Sequence, residues 1–575
     1  MKLLLGTILT LIILSGLTLF DSSKAFAQSG LVVVIDFDTT WTKADSPHEL
    51  NAPVLVNEGI ILTIEAGTTV NLNGYYIMVN GTLRLLGNIQ DKIFVNNGRI
   101  IFTQFSSNWD ENTGSGSIIE NSNLESIFVE ISSVSPKIVG NSILNLTVGG
   151  SSIVSNNSIF GPVYVELNAE KPIFSHNIIL GDVNCASDGS SVFSFNTISG
   201  NLHVGLGPHI VLNNTISGEV SLNDSPIIAN NTISGGISVK SGSPKIVKNY
   251  ISEGINKGET LMWGGISSAL ISQNFILGEV NIRARGETTT ISNNEILGKI
   301  SVTNGKITIS GNSITGQLDM VPKGKDPVIE VSIENNMIIG EEYGIYIEPA
   351  AGWPLHLHYT SAIIQGNLIS GCSNAAITVG GSQIYDVDIK VSNVVNIEGN
   401  IIINNNIGIT GELNEPIKNN IIVNNTYGIV GGSLIELNTI ANNTYGISEA
   451  NEIRNNTIIN NFIGVEGDFT TFLYNNIYNN SEYNFRFISS NNRNATNNWW
   501  GTTDTNAINQ TIYDYKYDFK LGKLNFTPFL TEENPNSEPK YTPQIPEFAS
   551  WTVLPLFLGV AVVIAVFRGK LLKSD

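Results

Sequence analysis

A short motif, apolar-x-x-Asn-x-Ile and often x-Gly after it, returns along most of this chain, as in Ile227-Ile228-Ala229-Asn230-Asn231-Thr232-Ile233-Ser234-Gly235. Its asparagine falls at Asn141, Asn157, Asn177, Asn196, Asn214, Asn231, Asn249, Asn274, Asn294, Asn312, Asn336, Asn367, Asn400, Asn420, Asn438, Asn456, Asn475 and Asn498, with most spacings 16 to 20 residues. A helical repeat needs roughly thirty residues for two helices and a turn, whereas three short strands with tight corners fit in about eighteen. Leucine-rich repeats share the short period but need a Leu-x-x-Leu-x-Leu frame, and the frame here is Ile/Val with Asn. The reading that remains is all-β: a single-stranded, right-handed parallel β-helix, a solenoid of about twenty coils.

The strand after each motif glycine alternates as a half-buried strand does: Gly200-Asn201-Leu202-His203-Val204, Gly218-Glu219-Val220-Ser221-Leu222, Gly235-Gly236-Ile237-Ser238-Val239 and Gly298-Lys299-Ile300-Ser301-Val302. Apolar members point inward and polar members outward. Asparagine suits the corners because it tolerates left-handed backbone and its amide can bond to the coils above and below. Stacked at equivalent positions, Asn177, Asn196, Asn214, Asn231, Asn294, Asn312, Asn420, Asn438 and Asn456 are expected to form an internal ladder. At about 4.8 Å per coil, such a stack is a rod on the order of 100 Å long. Cys185 and Cys372 then lie about nine coils apart, on the order of 40 Å, which no disulfide spans, so two free thiols are expected. Cys185 reads as a small core residue.

In the second half the frame lengthens to include Gly408-Ile409, Gly428-Ile429, Gly446-Ile447 and Gly464-Val465 after Asn-Asn pairs. This form resembles the parallel β-helix repeat of pectin-lyase-like enzymes and of the periplasmic copper-binding, NosD-like family. The resemblance covers roughly Leu31 to Leu530. Trp41, Ser46-Pro47 and Ile64-Glu65-Ala66-Gly67-Thr68 resemble the opening coils of such proteins, and Asn498-Trp499-Trp500-Gly501 with Pro528-Phe529-Leu530 their closing segment. The resemblance implies that any chemistry sits outside one parallel sheet, on residues from neighbouring coils.

Two outer groupings stand out. Asp182 and Glu219 fall two coils apart in one column with Asn201 between them, and His203 lies in the next column with Asn184, Ser221 and Ser238. Two coils are about 10 Å, near the carboxyl separation of an inverting glycosidase. Against this, alternate outer residues of any solvated strand are polar, and no Arg or Lys joins the group. The second grouping is where the coil spacing swells to 31 and 33 residues on either side of Asn367. Those stretches hold Trp353, His356, His358 and Tyr359, then Tyr385, Asp386 and Asp388, and long loops on a solenoid are where binding usually sits. His356-x-His358 suits a metal such as copper, which the NosD-like resemblance would also imply; the aromatics with acids suit a sugar. The sequence requires no cofactor.

The ends frame the solenoid. Met1 and Lys2, the apolar run Leu3 to Phe20 and Ala25-Phe26-Ala27 before Gln28 have the anatomy of a signal peptide over 1–27. Capping coils follow over 28–135, repeats over 136–497 and a closing segment over 498–530. The segment 531–548, with Pro535, Pro539, Pro543 and Pro546, reads as an extended stalk, 549–568 as a transmembrane helix, and 569–575 as a basic cytoplasmic tail. This ending resembles the sorting or anchoring tails of archaeal surface proteins. The expected location is therefore the outer face of the cell membrane, with polysaccharide or surface-layer components as partners. Net charge is −20 and no basic patch points to nucleic acid. Three functions compete: a carbohydrate-binding scaffold or adhesive module, a polysaccharide lyase or glycoside hydrolase, and a metal-handling protein.

Overall fold

The computed structural model describes residues 31–255, 268–284, 288–323, 328–353, 356–384 and 392–540. The expected signal peptide, transmembrane helix and cytoplasmic tail lie outside them. Among the described residues no helix is long and apolar enough to cross a membrane. The chain forms two compact units, one ending at Pro172 and one beginning at Ile173.

Each unit is a parallel β-solenoid built from three strands per coil. In the first, Val33–Ile35 pairs with Val54–Val56, which pairs with the strand Tyr76–Val79, and so to Gly98–Phe102. A second ladder runs from Thr39–Trp41 through Ile61–Glu65 and Thr82–Leu86 to Ile118–Glu120, and a third from His48–Glu49 through Thr69–Asn71 to Ile93–Asn96. In the second unit Ile173–Ser175 pairs with Val192–Ser194 and that with Ile210–Leu212, while Val183–Cys185, Leu202–Val204 and Val220–Leu222 stack in the same way. Register is in phase from coil to coil because a one-residue slip would turn every apolar side chain outward.

The core is a set of stacked columns. Ile179, Ile198, Ile216, Ile233 and Ile251 are fully buried one above another. Phe174 stacks on Phe193 at 4.9 Å, both fully buried. Burial of a branched or aromatic side chain contributes about 1.5–3 kcal/mol, so each coil adds several such increments.

The corners are held by asparagine. The backbone N–H and side-chain amide of Asn177 both donate to Oδ1 of Asn196, at 3.0 and 2.9 Å. Asn196 does the same to Asn214, and Asn214 to Asn231. The relay continues through Asn249 and Asn274 to Asn294 and Asn312. It then runs through Asn336, Asn367 and Asn400 to Asn420, Asn438 and Asn456, and ends at Asn498. The spare amide proton bonds a carbonyl of the preceding coil, as Asn231 Nδ2 does to Val211 O at 2.9 Å. The left-handed residue, however, is the one before the ladder asparagine: φ is 54° at Asn230, 57° at Phe195, 59° at Leu437 and 58° at Tyr474. Two tasks assigned to one asparagine are thus divided between neighbours.

A second relay begins where the frame gains Gly-Ile. Asn405 N–H donates to Asn425 Oδ1, Asn425 to Asn443, Asn443 to Asn461 and Asn461 to Asn480. It brackets each short strand between two inward amides, and each inward asparagine follows an exposed left-handed one, Asn404, Asn424, Asn442 or Asn460, which explains the Asn-Asn pairs.

The closing segment is not purely strand: Thr505–Gln510 is a short α-helix capped by Asp504, whose carboxylate accepts from the Asn506 and Ala507 amides. The stalk also differs from expectation over 531–540. Asn534 N–H donates to Asn476 Oδ1 at 2.8 Å, Thr457 Oγ1 donates to Ser537 O at 3.0 Å, and Lys540 N–H donates to Asn419 Oδ1 at 3.2 Å. This strap therefore runs back along the second unit, with its own Ser537 fully buried against the coils. Proline suits it because a strand crossing coils at right angles needs few of its own amide donors.

Candidate functional site

Asp182, Asn201 and Glu219 occupy one column, each directly before an inward apolar residue of the paired strands Val183–Cys185, Leu202–Val204 and Val220–Leu222. The side chains of Asp182 and Asn201 are engaged with the fold. Asp182 Oδ1 accepts the Asn201 amide N–H at 2.7 Å, and Asn201 Oδ1 accepts the Glu219 amide N–H at 2.9 Å. The column is an external relay of the same kind as the internal asparagine ladder. His203 lies beside it in register with Asn184 and Ser221, and Ser221 with Ser238. Ser221 departs from its expected exposure: it is 3% exposed and its hydroxyl has no hydrogen-bond partner. The structure thus brings Asp182, Glu219 and His203 to one face, with one carboxylate oxygen committed to the neighbouring coil.

The lengthened stretch after Asn336 is not an irregular loop. Ala350–Trp353 and His356–Gln365 form an antiparallel hairpin in which Trp353 is opposite His356 and Ala351 opposite His358, and Ala350–Trp353 also pairs in parallel with Ser382–Ile384. Tyr359 continues the hairpin strand into the solenoid, opposite Val328. Tyr385, Asp386 and Asp388 lie outside the described residues. Among the described residues no group of three or more His, Cys, Asp or Glu side chains is placed to hold a metal ion.

A cluster that the sequence reading did not single out sits on the outer face of the same sheet as His203. Asp319 is in register with Ser301 on one side and Tyr346 on the other. Its side chain is 5% exposed, ion-paired with Lys299 Nζ, and accepts from Gln317 Nε2 at 2.8 Å. Tyr346 and Tyr343 lie with ring centroids 5.1 Å apart, and Tyr343 Oη accepts from Asn374 Nδ2 at 2.8 Å. Burial raises the Tyr346 phenol above its ordinary pKa, with Glu348 and Tyr343 adding to the effect; burial and then Glu342 raise that of Tyr343. Both phenols therefore stay neutral donors at physiological pH. The signal was present in Gly298-Lys299 and Gly316-Gln317-Leu318-Asp319, whose shared phase places Lys299 one coil from Gln317 and Asp319.

No family model matches the chain, and no curated protein matches it in sequence. Among solved structures, the chain is similar to the PL6 family alginate lyase AlyGC at 10% identity, over 89% of this chain and 99% of that one, with a TM-score of 0.19. It is also similar to a mannuronic-acid-specific polysaccharide family 6 lyase from human gut microbiota at 10% identity, over 69% and 86% of the two chains, with a TM-score of 0.18. Likenesses of this size carry no inference about chemistry.

Proposed function

We propose that this chain is a surface-attached solenoid scaffold that binds carbohydrate without cleaving it. The observation that carries this reading is the use of the outer acidic column: Asp182 and Asn201 each accept the backbone N–H of the next coil. A general acid and base pair needs carboxyl groups free to exchange protons with substrate, each with neighbours that set its pKa apart from the other. Asp182, whose carboxylate closes a coil, is instead part of the wall, which leaves Glu219 without a second free carboxyl group in the column. Attachment rests on the apolar run Trp551 to Phe567 and the basic residues after it, and export on the amino-terminal segment.

Tyr343, Tyr346 and the Lys299–Asp319 pair supply the binding face. Partly exposed phenol rings offer apolar faces to the C–H groups of a sugar, and the Lys299 ammonium, held in place by buried Asp319, offers hydrogen bonds to its hydroxyls. The test is retention of the purified ectodomain on a panel of polysaccharides, with reducing and unsaturated ends measured in parallel. Tyr346→Ala should weaken retention, while Glu219→Gln with His203→Ala leaves it unchanged. Release of sugar ends that Glu219→Gln abolishes would overturn the scaffold reading.

A further inference from the structure

The outer face that carries Tyr343 and Tyr346 continues over four further coils with no charged residue at its outward positions. Tyr343 is in register with Ala375, Ile407, Tyr427 and Tyr445, four strand spacings or about 19 Å. Thr378, Thr410, Val430 and Ser448 continue the column of Tyr346 in the same strands. Ahead of the first column stand Asn374, Asn406, Thr426 and Thr444, of which the last three are exposed. The inward side of these strands is marked by Ile377, Ile409, Ile429 and Ile447, all fully buried. Charge returns only at the two ends of the band, where Asp319 is in register with Tyr346 and Glu466 with Ser448.

The cations at those ends are already paired, Lys299 with Asp319 and Arg486 with Glu466 at 3.2 Å. Along the margins stand Glu342, Glu348, Glu412 and Glu449, all acidic. An anionic sugar needs a cation or several donors for each carboxylate or sulfate, and like charge across a contact rejects the wrong partner. Resting on the carbohydrate-binding reading above, we infer that this face takes an uncharged, linear polysaccharide laid along the stacked coils and rejects polyuronates and sulfated glycans. The same neutral set returns once per coil, so a repeating ligand meets the same partners again. Tyr427 and Tyr445 are stacked on each other at 4.8 Å and 8°, so they turn ring edges and hydroxyls, not ring faces, toward it. The amide of Asn406 and the hydroxyls of Thr410, Thr426 and Thr444 both donate and accept, as sugar hydroxyls do.

The experiment measures retention of the full chain in detergent on a neutral glucan, a neutral mannan, a polyuronate and a sulfated galactan at one ionic strength. A neutral polymer should be retained at least about tenfold more strongly than either anionic one, and raising the salt should leave that retention unchanged. Tyr445→Ala, several coils from Tyr346, should weaken it, and Thr410→Lys with Val430→Lys should raise retention of the polyuronate by about tenfold or more. The lysine variant alters only partly exposed positions, so it decides the matter should Tyr445→Ala fail to fold. Strong polyuronate retention by the native chain that Tyr346→Ala removes overturns the inference and leaves the binding reading standing. Neutral retention that depends on Tyr346 but not on Tyr445, with no gain from the lysines, overturns the extended band. Retention of none of the four polymers overturns the binding reading and this inference with it.

Discussion

The backbone N–H of Cys372 donates to Oδ1 of Asn405 at 3.0 Å, so a cysteine stands at the first rung of the second asparagine relay. Burial pushes its thiol up to about 12 from an ordinary 9, against a smaller opposing contribution from the Gly340 amide. A group whose pKa is raised on folding contributes stability below its unfolded value and loses it as pH rises toward the folded value. The native chain should therefore lose stability between about pH 9 and about pH 12 more steeply than Cys372→Ser, as measured by denaturant unfolding across that window. Parallel profiles would show that the thiol ionises without hindrance.

Asn231 makes bonds to Asn249 Oδ1, Val211 O and Ala229 O and accepts from Asn214. Replacing it with Leu strands several buried groups and should cost about 3 kcal/mol or more, since each unsatisfied group costs about 1–3 kcal/mol. Ser238→Ala on the outer face should change stability by less than about 0.5 kcal/mol. Matching thermal midpoints for the two variants would contradict the inward assignment.

Leu437 holds φ at 59°, a conformation its side chain disfavours. Leu437→Asn should stabilise the second unit by about 1 kcal/mol, because asparagine enters the left-handed region more readily. Chemical denaturation decides the matter, and a destabilised variant would show that leucine's packing outweighs its backbone strain.

Sequons open at Asn213, Asn230, Asn442 and Asn455, each just before a ladder asparagine. Asn230 and Asn442 are exposed and should carry glycan in a host that modifies exported proteins. Asn455 Oδ1 instead accepts from Asn534 Nδ2 of the strap, so occupancy there should be lower than at Asn230 in peptide mass mapping. Full occupancy at Asn455 would mean that the strap docks after modification or not at all.

The parallel solenoid was legible because one column of asparagines and one of isoleucines repeat at a period that only short strands satisfy. Asn405, Asn425 and Asn443 escaped notice as a second relay because an inward asparagine and the left-handed asparagine before it look alike in sequence. The Lys299–Asp319 pair escaped because its partners lie 20 positions apart, and only the coil register brings them together. The strap was unreadable for a different reason. Its contacts with Asn476, Thr457 and Asn419 are side chain to backbone, and they leave no periodic trace in a polar, proline-rich segment.

The docked strap also sets how the second unit would bear a mechanical load. Tension applied at Tyr541 meets the Lys540 bond first, then those of Ser537, then those of Asn534, so the segment peels one attachment at a time. The ten residues 531–540, at most about 33–36 Å long when fully extended, would be stripped free before force reached the coils themselves. A docked tail of this kind is a shock absorber in series with the solenoid.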